Sequence, residues 1–302
     1  MKPIILDVDT GIDDALAIKY ALGSPELDVL GITTCFGNVP AVIASRNSLA
    51  ILQMLGKDIP VYQGASKPLT RKPKYATLVH GEDGLGNALH FNPIRTVANE
   101  TAVNYLIDQV RSRPNEITII AVGPLTNLAL AINLAPDIIP LIKEVIIMGG
   151  AVTVPGNVTP YGEANIVSDP EAADVVFNSG LPITLVGLDV TMKTLLPLTE
   201  LDKWRVSEKY EVRLFTNMTE HYMKAYEMFY PGINGCALHD PLAVAVAIDS
   251  SFVTKESMNV KVVKEGIETG KTIGTLEKDP KINVCTKVDA ERFLNHFLQT
   301  AF

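Results

Sequence analysis

Residues 3–22 read PIILDVDTGIDDALAIKYAL. Pro3–Val8 is a continuous apolar run broken only by Asp7, the pattern of a strand buried on both faces. Past Thr10-Gly11, Asp13–Leu22 carries Ala15, Ile18 and Leu22 at helical spacing. The alternation repeats downstream. Leu27–Thr34 reads as a second strand with the helix Ala41–Leu55 behind it. Ile117–Val122 reads as a third, and Leu125–Asn133 begins a helix directly after Gly-Pro. Glu144–Met148 and Ile183–Leu188 complete the set, with the helix Asp169–Ser179 between them. Apolar strands joined by helical crossovers predict an α/β fold, a doubly wound, mostly parallel sheet flanked by helices.

The C-terminal third differs. Leu201–Phe229 reads as one helix rich in Glu, Lys, Met and Tyr. Met258–Lys264 and Gly270–Leu276 read as a β-hairpin around Glu265–Thr269, and Asp289–Ala301 as a closing helix with Asp289 at its N-cap. No repeat or long linker divides the chain. Residues 1–302 are therefore expected to form one domain with C-terminal helical and hairpin additions.

Composition narrows the function. The 26 Lys and Arg against 34 Asp and Glu give a net charge of −8, which disfavours binding to phosphate backbones or anionic membranes. Aromatics make up only 6%, too few for a surface that stacks single-stranded bases. No nucleic-acid and no membrane partner is expected. Cys35, Cys236 and Cys285 match neither a zinc pattern nor a disulfide framework, which favours a reducing, cytoplasmic setting. Asp7 and Asp9 cut the first apolar run too short for a signal peptide. Gly123, Pro124, Thr126 and Asn127 break the most hydrophobic stretch, Ile117–Ala135, into a strand and a helix rather than a membrane span.

In an open α/β sheet, ligands bind beyond the carboxyl ends of the strands. The tip after the first strand holds Asp7, Asp9, Asp13 and Asp14, with no Lys or Arg between Lys2 and Lys19. A helix N-terminus favours one or two carboxylates, by ~0.3–1 kcal/mol each, and does not hold four. Crowded carboxylates take up a proton or a cation, and an all-oxygen set suits Ca²⁺ or Mg²⁺ rather than zinc. The plainer alternative makes Asp13 a helix cap and Asp14 a solvated first-turn charge. The spacing is not that of an EF-hand, and Gly11 stands where haloacid-dehalogenase-type phosphatases carry Thr or Val.

Asp7-Val-Asp-Thr-Gly-Ile-Asp-Asp-Ala15 resembles the N-terminal signature of the nucleoside hydrolases, the inosine–uridine-preferring N-ribohydrolase family. Further segments are similar to that family's motifs, in the family's order: Ile32-Thr-Thr-Cys-Phe-Gly-Asn38, Val122-Gly-Pro-Leu-Thr-Asn127 and Ile147-Met-Gly-Gly150. Glu163-Ala-Asn165 with Asp169-Pro-Glu-Ala172, and His239-Asp-Pro241, follow in turn. The resemblance implies hydrolysis of the N-glycosidic bond of ribonucleosides (uridine, cytidine or inosine) to base and ribose. It implies one Ca²⁺ held by Asp9, Asp14, Asp240 and the backbone carbonyl of Val122, with water on the ion attacking and Asp9 as general base. Asp13 and Asn165 would take the 2′-OH, Asp240 the 3′-OH, and Asn157 and Glu163 the 5′-OH. Asn38 would steady the carboxylates and Met148 line the ribose pocket. A homodimer or homotetramer is also implied.

A leaving base needs a proton or strong polarisation, and imidazole titrates near the working pH. His80, in a Gly-rich segment, and His239 match histidines of the family branch that accepts pyrimidine and 6-oxopurine nucleosides. Tyr222 and Tyr226, at i and i+4, are candidates to line the base pocket or relay a proton. The plainer readings make His80 an exposed turn residue, His239 a support for Asp240, and the tyrosines helix packing. Asn127 is expected to be structural. Two features depart from the family pattern: Ala164 replaces a bulky aromatic, and the Ala151–Asn157 loop is longer than in some relatives. Gly81–Gly86 and Glu227–Cys236 are expected to close over substrate. A non-catalytic nucleoside-binding protein and a metal-dependent phosphotransferase are the competing classes. The latter lacks the phosphate cradle G-x-x-x-x-G-K-[ST].

Overall fold

A computed structural model describes residues 1–276 and 281–302. The chain lays down β1 (Lys2–Val8), β2 (Leu27–Thr34), β3 (Val61–Gln63), β4 (Thr118–Ala121), β5 (Glu144–Met148) and β6 (Ile183–Val186). Then come β7 (Leu195–Pro197), β8 (Gly235–Ala237), β9 (Val253–Val262), β10 (Thr272–Thr275) and β11 (Ile282–Val288). Nine of these form one sheet in the order β10-β9-β11-β6-β5-β4-β1-β2-β3, and β7 pairs with β8 alone. Every pairing from β3 to β11 is parallel, whereas β9 pairs antiparallel with both β11 and β10. This is the expected α/β architecture. The predicted hairpin is β9 and β10, and it extends the main sheet instead of standing apart from it.

Strand β1 explains why the sheet is covered on both faces. Its alternation sends Ile4 and Leu6 into one apolar layer and Ile5 into the other, all fully buried. Each such side chain contributes ~1.5–3 kcal/mol of burial. The first layer is completed by the helices Ile12–Gly23, Tyr210–Phe229, His239–Ile248 and Ala290–Ala301, the second by Ala102–Ser112, Thr126–Leu134 and Pro170–Phe177.

Several boundaries depart from the sequence reading. Leu201–Phe229 is two helices, Leu198–Arg205 and Tyr210–Phe229, and the first places Trp204 on Phe302 at a centroid distance of 3.9 Å. The sixth strand ends at Val186, and Leu188–Thr191 forms a one-turn helix. The N-cap of Ile12–Gly23 is Gly11, not Asp13. Asp289 does cap the last helix, accepting from the Arg292 N–H at 3.2 Å.

The placement of β1 positions the site. It pairs with β2 on one side and β4 on the other, so the strand order reverses there. A crevice opens at such a switch point, beyond the strand carboxyl ends. The Asp9 loop and Val122 both lie at this end.

Candidate active site

A cavity of about 330 Å³ occupies the switch point. Its polar wall includes Asp13, Asn38, Asn157, Glu163, Asn165 and Asp240, together with His80 and His239. Val122 and Met148 line it as well, as do Tyr222 and Tyr226. Thus residues drawn from distant parts of the chain meet around one space.

Of the acidic loop, Asp13 lines the cavity, and Asp9 and Asp14 are buried behind it without lining it. Asp14 is fully buried and accepts from the N–H groups of Asp9 at 3.1 Å and Gly11 at 2.8 Å, and from Asn38 Nδ2 at 3.0 Å. It is neither a solvated charge nor a spare one. Asp9 Oδ2 accepts from the Asn38 N–H at 2.6 Å, whereas Asp9 Oδ1 and Asp13 Oδ1 are buried with no partner. Carboxylate oxygens of Asp13, Asp14 and Asp240 all lie within 4.8 Å of one another, close enough to share a metal ion. Asp9 lies beside this triplet rather than within it. Asp7 is elsewhere: its Oδ1 accepts from Thr33 Oγ1 at 2.5 Å and Asn127 Nδ2 at 2.7 Å.

Crowding shows in the electrostatics. Burial, then Asp14 and Asp13, hold Asp9 well above the usual carboxylate range. Burial together with Asp13, Asp14 and Asp9 does the same to Asp240. Asp14 is pushed up to about 7 by burial and by Asp13. A cation would remove this penalty, and the unpartnered oxygens and the all-oxygen donor set fit a hard one. Glycine permits the tight packing. A Cβ on Gly37, at φ +158°, would stand 2.0 Å from Asp9 Oδ2, and one on Gly11 2.6 Å from His80 Nδ1.

The amide wall is organised by backbone. Asn165 Nδ2 donates to the carbonyls of Val122 at 2.7 Å and Met148 at 3.1 Å, leaving its side-chain oxygen for a ligand. Glu163 caps the helix Ala164–Ser168 and accepts from the N–H groups of Gly150, Asn165 and Ile166. Asn157, despite its longer loop, reaches the wall, where its Oδ1 accepts from the Ala164 N–H at 3.1 Å. Asn127 serves structure, bonding Asp7, the Thr34 carbonyl and the Ala65 N–H.

His80 is buried, not an exposed turn residue. Its Nδ1 accepts from the Ile12 N–H at 3.1 Å, so the neutral ring carries its proton on Nε2. Burial, with His221 nearby, lowers it to about 3. The unfolded chain therefore binds this proton first as pH falls. The stability involved is complete above the ordinary value of 6.5 and is lost on descent toward 3. Between about pH 6.5 and 5 the wild type should lose ~2 kcal/mol more than His80→Gln, measured by denaturant unfolding. Equal slopes would refute this.

His239 Nε2 lies 2.5 Å from the Tyr226 hydroxyl, and its Nδ1 lies 2.7 Å from Thr191 Oγ1. Burial lowers this ring to about 4, partly opposed by Asp13. Tyr222 donates to Asp13 Oδ2 at 3.2 Å. The tyrosine stripe is thus pocket wall as well as packing. The segment Gly81–Gly86 is tied to its surroundings. Asn47 Nδ2 donates to the Asp83 carbonyl at 2.8 Å, the Gly86 N–H donates to the His80 carbonyl at 2.7 Å, and Leu85 is fully buried.

Sequence reasoning missed Leu78, Val79, Val158 and Phe229, all of which line the cavity. Nothing in an apolar residue's own neighbourhood separates a pocket wall from a core. It also gave Thr191 no role, although the tip Leu188–Thr191 stands where ligands are sought.

Carboxylates gathered about a cavity walled by amides and imidazoles suit hydrolysis at a sugar's anomeric carbon. The family model of the inosine-uridine preferring nucleoside hydrolases matches residues 4–295. The chain belongs to that family, and is a hydrolase of the N-glycosidic bond that splits ribonucleosides into base and ribose. It is 41% identical to a probable uridine nucleosidase 2 of Arabidopsis thaliana, over 90% of this chain and 85% of that protein. It is 37% identical to the inosine-uridine preferring nucleoside hydrolase of Crithidia fasciculata, over 97% and 95%. The solved structure of a purine-preferring ribonucleoside hydrolase from Gardnerella vaginalis superposes with a TM-score of 0.96 at 43% identity. That match covers 99% of this chain and 98% of the other.

Proposed function

We propose that this chain hydrolyses uridine, cytidine and/or inosine in a calcium-dependent reaction with Asp9 as general base. The observation that carries the reading is the floor of buried carboxylates with orphaned oxygens, Asp9 Oδ1 and Asp13 Oδ1. Asp9, Asp14 and Asp240 would hold Ca²⁺ together with the Val122 carbonyl, and Asp13 stands close enough to Asp14 and Asp240 to adjust the set. When bound, the ion supplies positive charge that orients and acidifies the attacking water.

The remaining chemistry belongs to the protein. Asp13 and Asn165 accept the 2′-OH, Asp240 the 3′-OH, and Asn157 and Glu163 hold the 5′-OH, while Met148 packs beneath the ribose. The water oxygen bonds to the anomeric carbon as Asp9 takes the water proton. The C–N bond breaks with its electron pair on the base. That base receives a proton from the Tyr226–His239 pair and a hydrogen bond from His80 Nε2–H. Asn38 anchors Asp9 and Asp14 throughout. Three free, buried cysteines accord with a reducing cytoplasm, and among the described residues no helix is long and apolar enough to cross a membrane. We take residues 1–302 as one working domain, assembled as a homodimer or homotetramer.

Incubation with uridine, inosine and UMP, with and without a chelator, tests this reading. Free base should appear from the nucleosides alone, stop on chelation and resume with Ca²⁺. Turnover untouched by exhaustive chelation would overturn the metal assignment. Tight nucleoside binding without base release would favour a binding protein instead.

A further inference from the structure

We propose that Thr191 is a positioning residue for the leaving base, acting through His239 on the Tyr226 hydroxyl. The inference rests on the reading that Tyr226 and His239 serve that base. Thr191 is fully buried at the end of the one-turn helix Leu188–Thr191, and its hydroxyl lies 2.7 Å from His239 Nδ1. On the far side of the ring, Nε2 faces the Tyr226 hydroxyl at 2.5 Å. The imidazole is therefore gripped at both nitrogens; His239 and Tyr226 line the cavity, and Thr191 stands behind them.

The fold builds this grip deliberately close to the chemistry. Strands β7 and β8 pair Leu195–Pro197 with Gly235–Ala237, which brings the segment after β6 against the residues preceding His239. The Leu238 N–H donates to the Thr194 carbonyl at 2.9 Å, a second tie between the same two segments. On its other side the one-turn helix offers Asp189, which accepts from the N–H groups of Val152 at 3.0 Å and Thr153 at 2.7 Å. The segment thus fixes the loop that carries Asn157 with one residue and the imidazole with another.

A hydroxyl suits the position because it both donates and accepts. With Thr191 donating to Nδ1, His239 Nε2–H donates to Tyr226; with Thr191 accepting, Tyr226 donates to Nε2. Either arrangement leaves no orphan, so the ring keeps its place whichever nitrogen bears the proton. A valine has the same shape and can hold neither arrangement.

Steady-state kinetics of Thr191→Val, Thr191→Ser and Tyr226→Phe on inosine and on p-nitrophenyl riboside test the proposal. The nitrophenolate leaves without protonation, so that substrate bypasses the leaving-base machinery. Thr191→Val should lower kcat on inosine ~10–100-fold, the usual cost of removing a partner that orients a functional imidazole, with KM little changed. It should leave the nitrophenyl substrate unaffected, and Thr191→Ser should restore most of the inosine rate. Equal losses on both substrates, or none on inosine, would overturn the proposal. If Tyr226→Phe is selective for inosine and Thr191→Val is not, Thr191 alone is misassigned. If Tyr226→Phe shows no selectivity, the leaving-base reading fails and takes the proposal with it.

Discussion

Alanine in place of Asp9 should give a folded protein whose turnover of uridine falls by about 10²–10⁴-fold, the usual contribution of a general base. Two opposing effects act on stability. The Asn38 N–H, which is half-buried, loses its acceptor at 2.6 Å, a cost of ~1 kcal/mol. Against this, a carboxylate held far above its ordinary range by burial, Asp14 and Asp13 is removed, which relieves repulsion in the floor. The fold therefore persists while the chemistry stops. Steady-state rates set beside unfolding curves check both halves. A variant that keeps most of the wild-type rate would take the base role from Asp9.

The second large effect concerns the sugar. 2′-Deoxyuridine should react about 10⁴-fold more slowly than uridine in kcat/KM, the discrimination reached when a site is built to bond a hydroxyl. The structural reason is a pair of acceptors set on the cavity wall. Asp13 Oδ1 is buried without a partner, and the Asn165 amide nitrogen is already committed to two carbonyls. A ligand lacking the hydroxyl leaves the buried Asp13 oxygen unpaired and forfeits the bond to Asn165, a cost paid in the transition state. Rates within an order of magnitude of each other would remove Asp13 and Asn165 from this task.

Much of this was legible in the sequence, for reasons that particular residues make plain. Leu27–Thr34 and Glu144–Met148 run over the residues expected because a strand buried on both faces is apolar throughout. Strand β3, at Val61–Gln63, is too short to show a period, as are β7 and β8. The break between Arg205 and Tyr210 falls within a run of helix-compatible residues, with no Gly or Pro to mark it. In the site, strand tips announced Asp9, Asp13 and Asp14, since charge has few reasons to sit there. Partners were harder. Whether Asp7 joins the floor depends on Asn127, which lies across the sheet, and Thr191 acquires meaning only once β7 and β8 have paired.

The central place of β1 also governs how the molecule comes into being. Its first neighbour, β2, follows closely in the chain, but the other flank pairs Ile4 with Thr118, and the cavity closes only when Asp240 arrives. Pairings of such sequence separation demand loop closure before contacts reward it, which slows folding. A growing chain halted short of the His239–Ile248 helix holds crowded carboxylates without their roof, and an open flank on Ile12–Gly23 where that helix belongs. The site cannot exist before Asp240 has been made, so shorter partial chains carry hydrophobic exposure without activity.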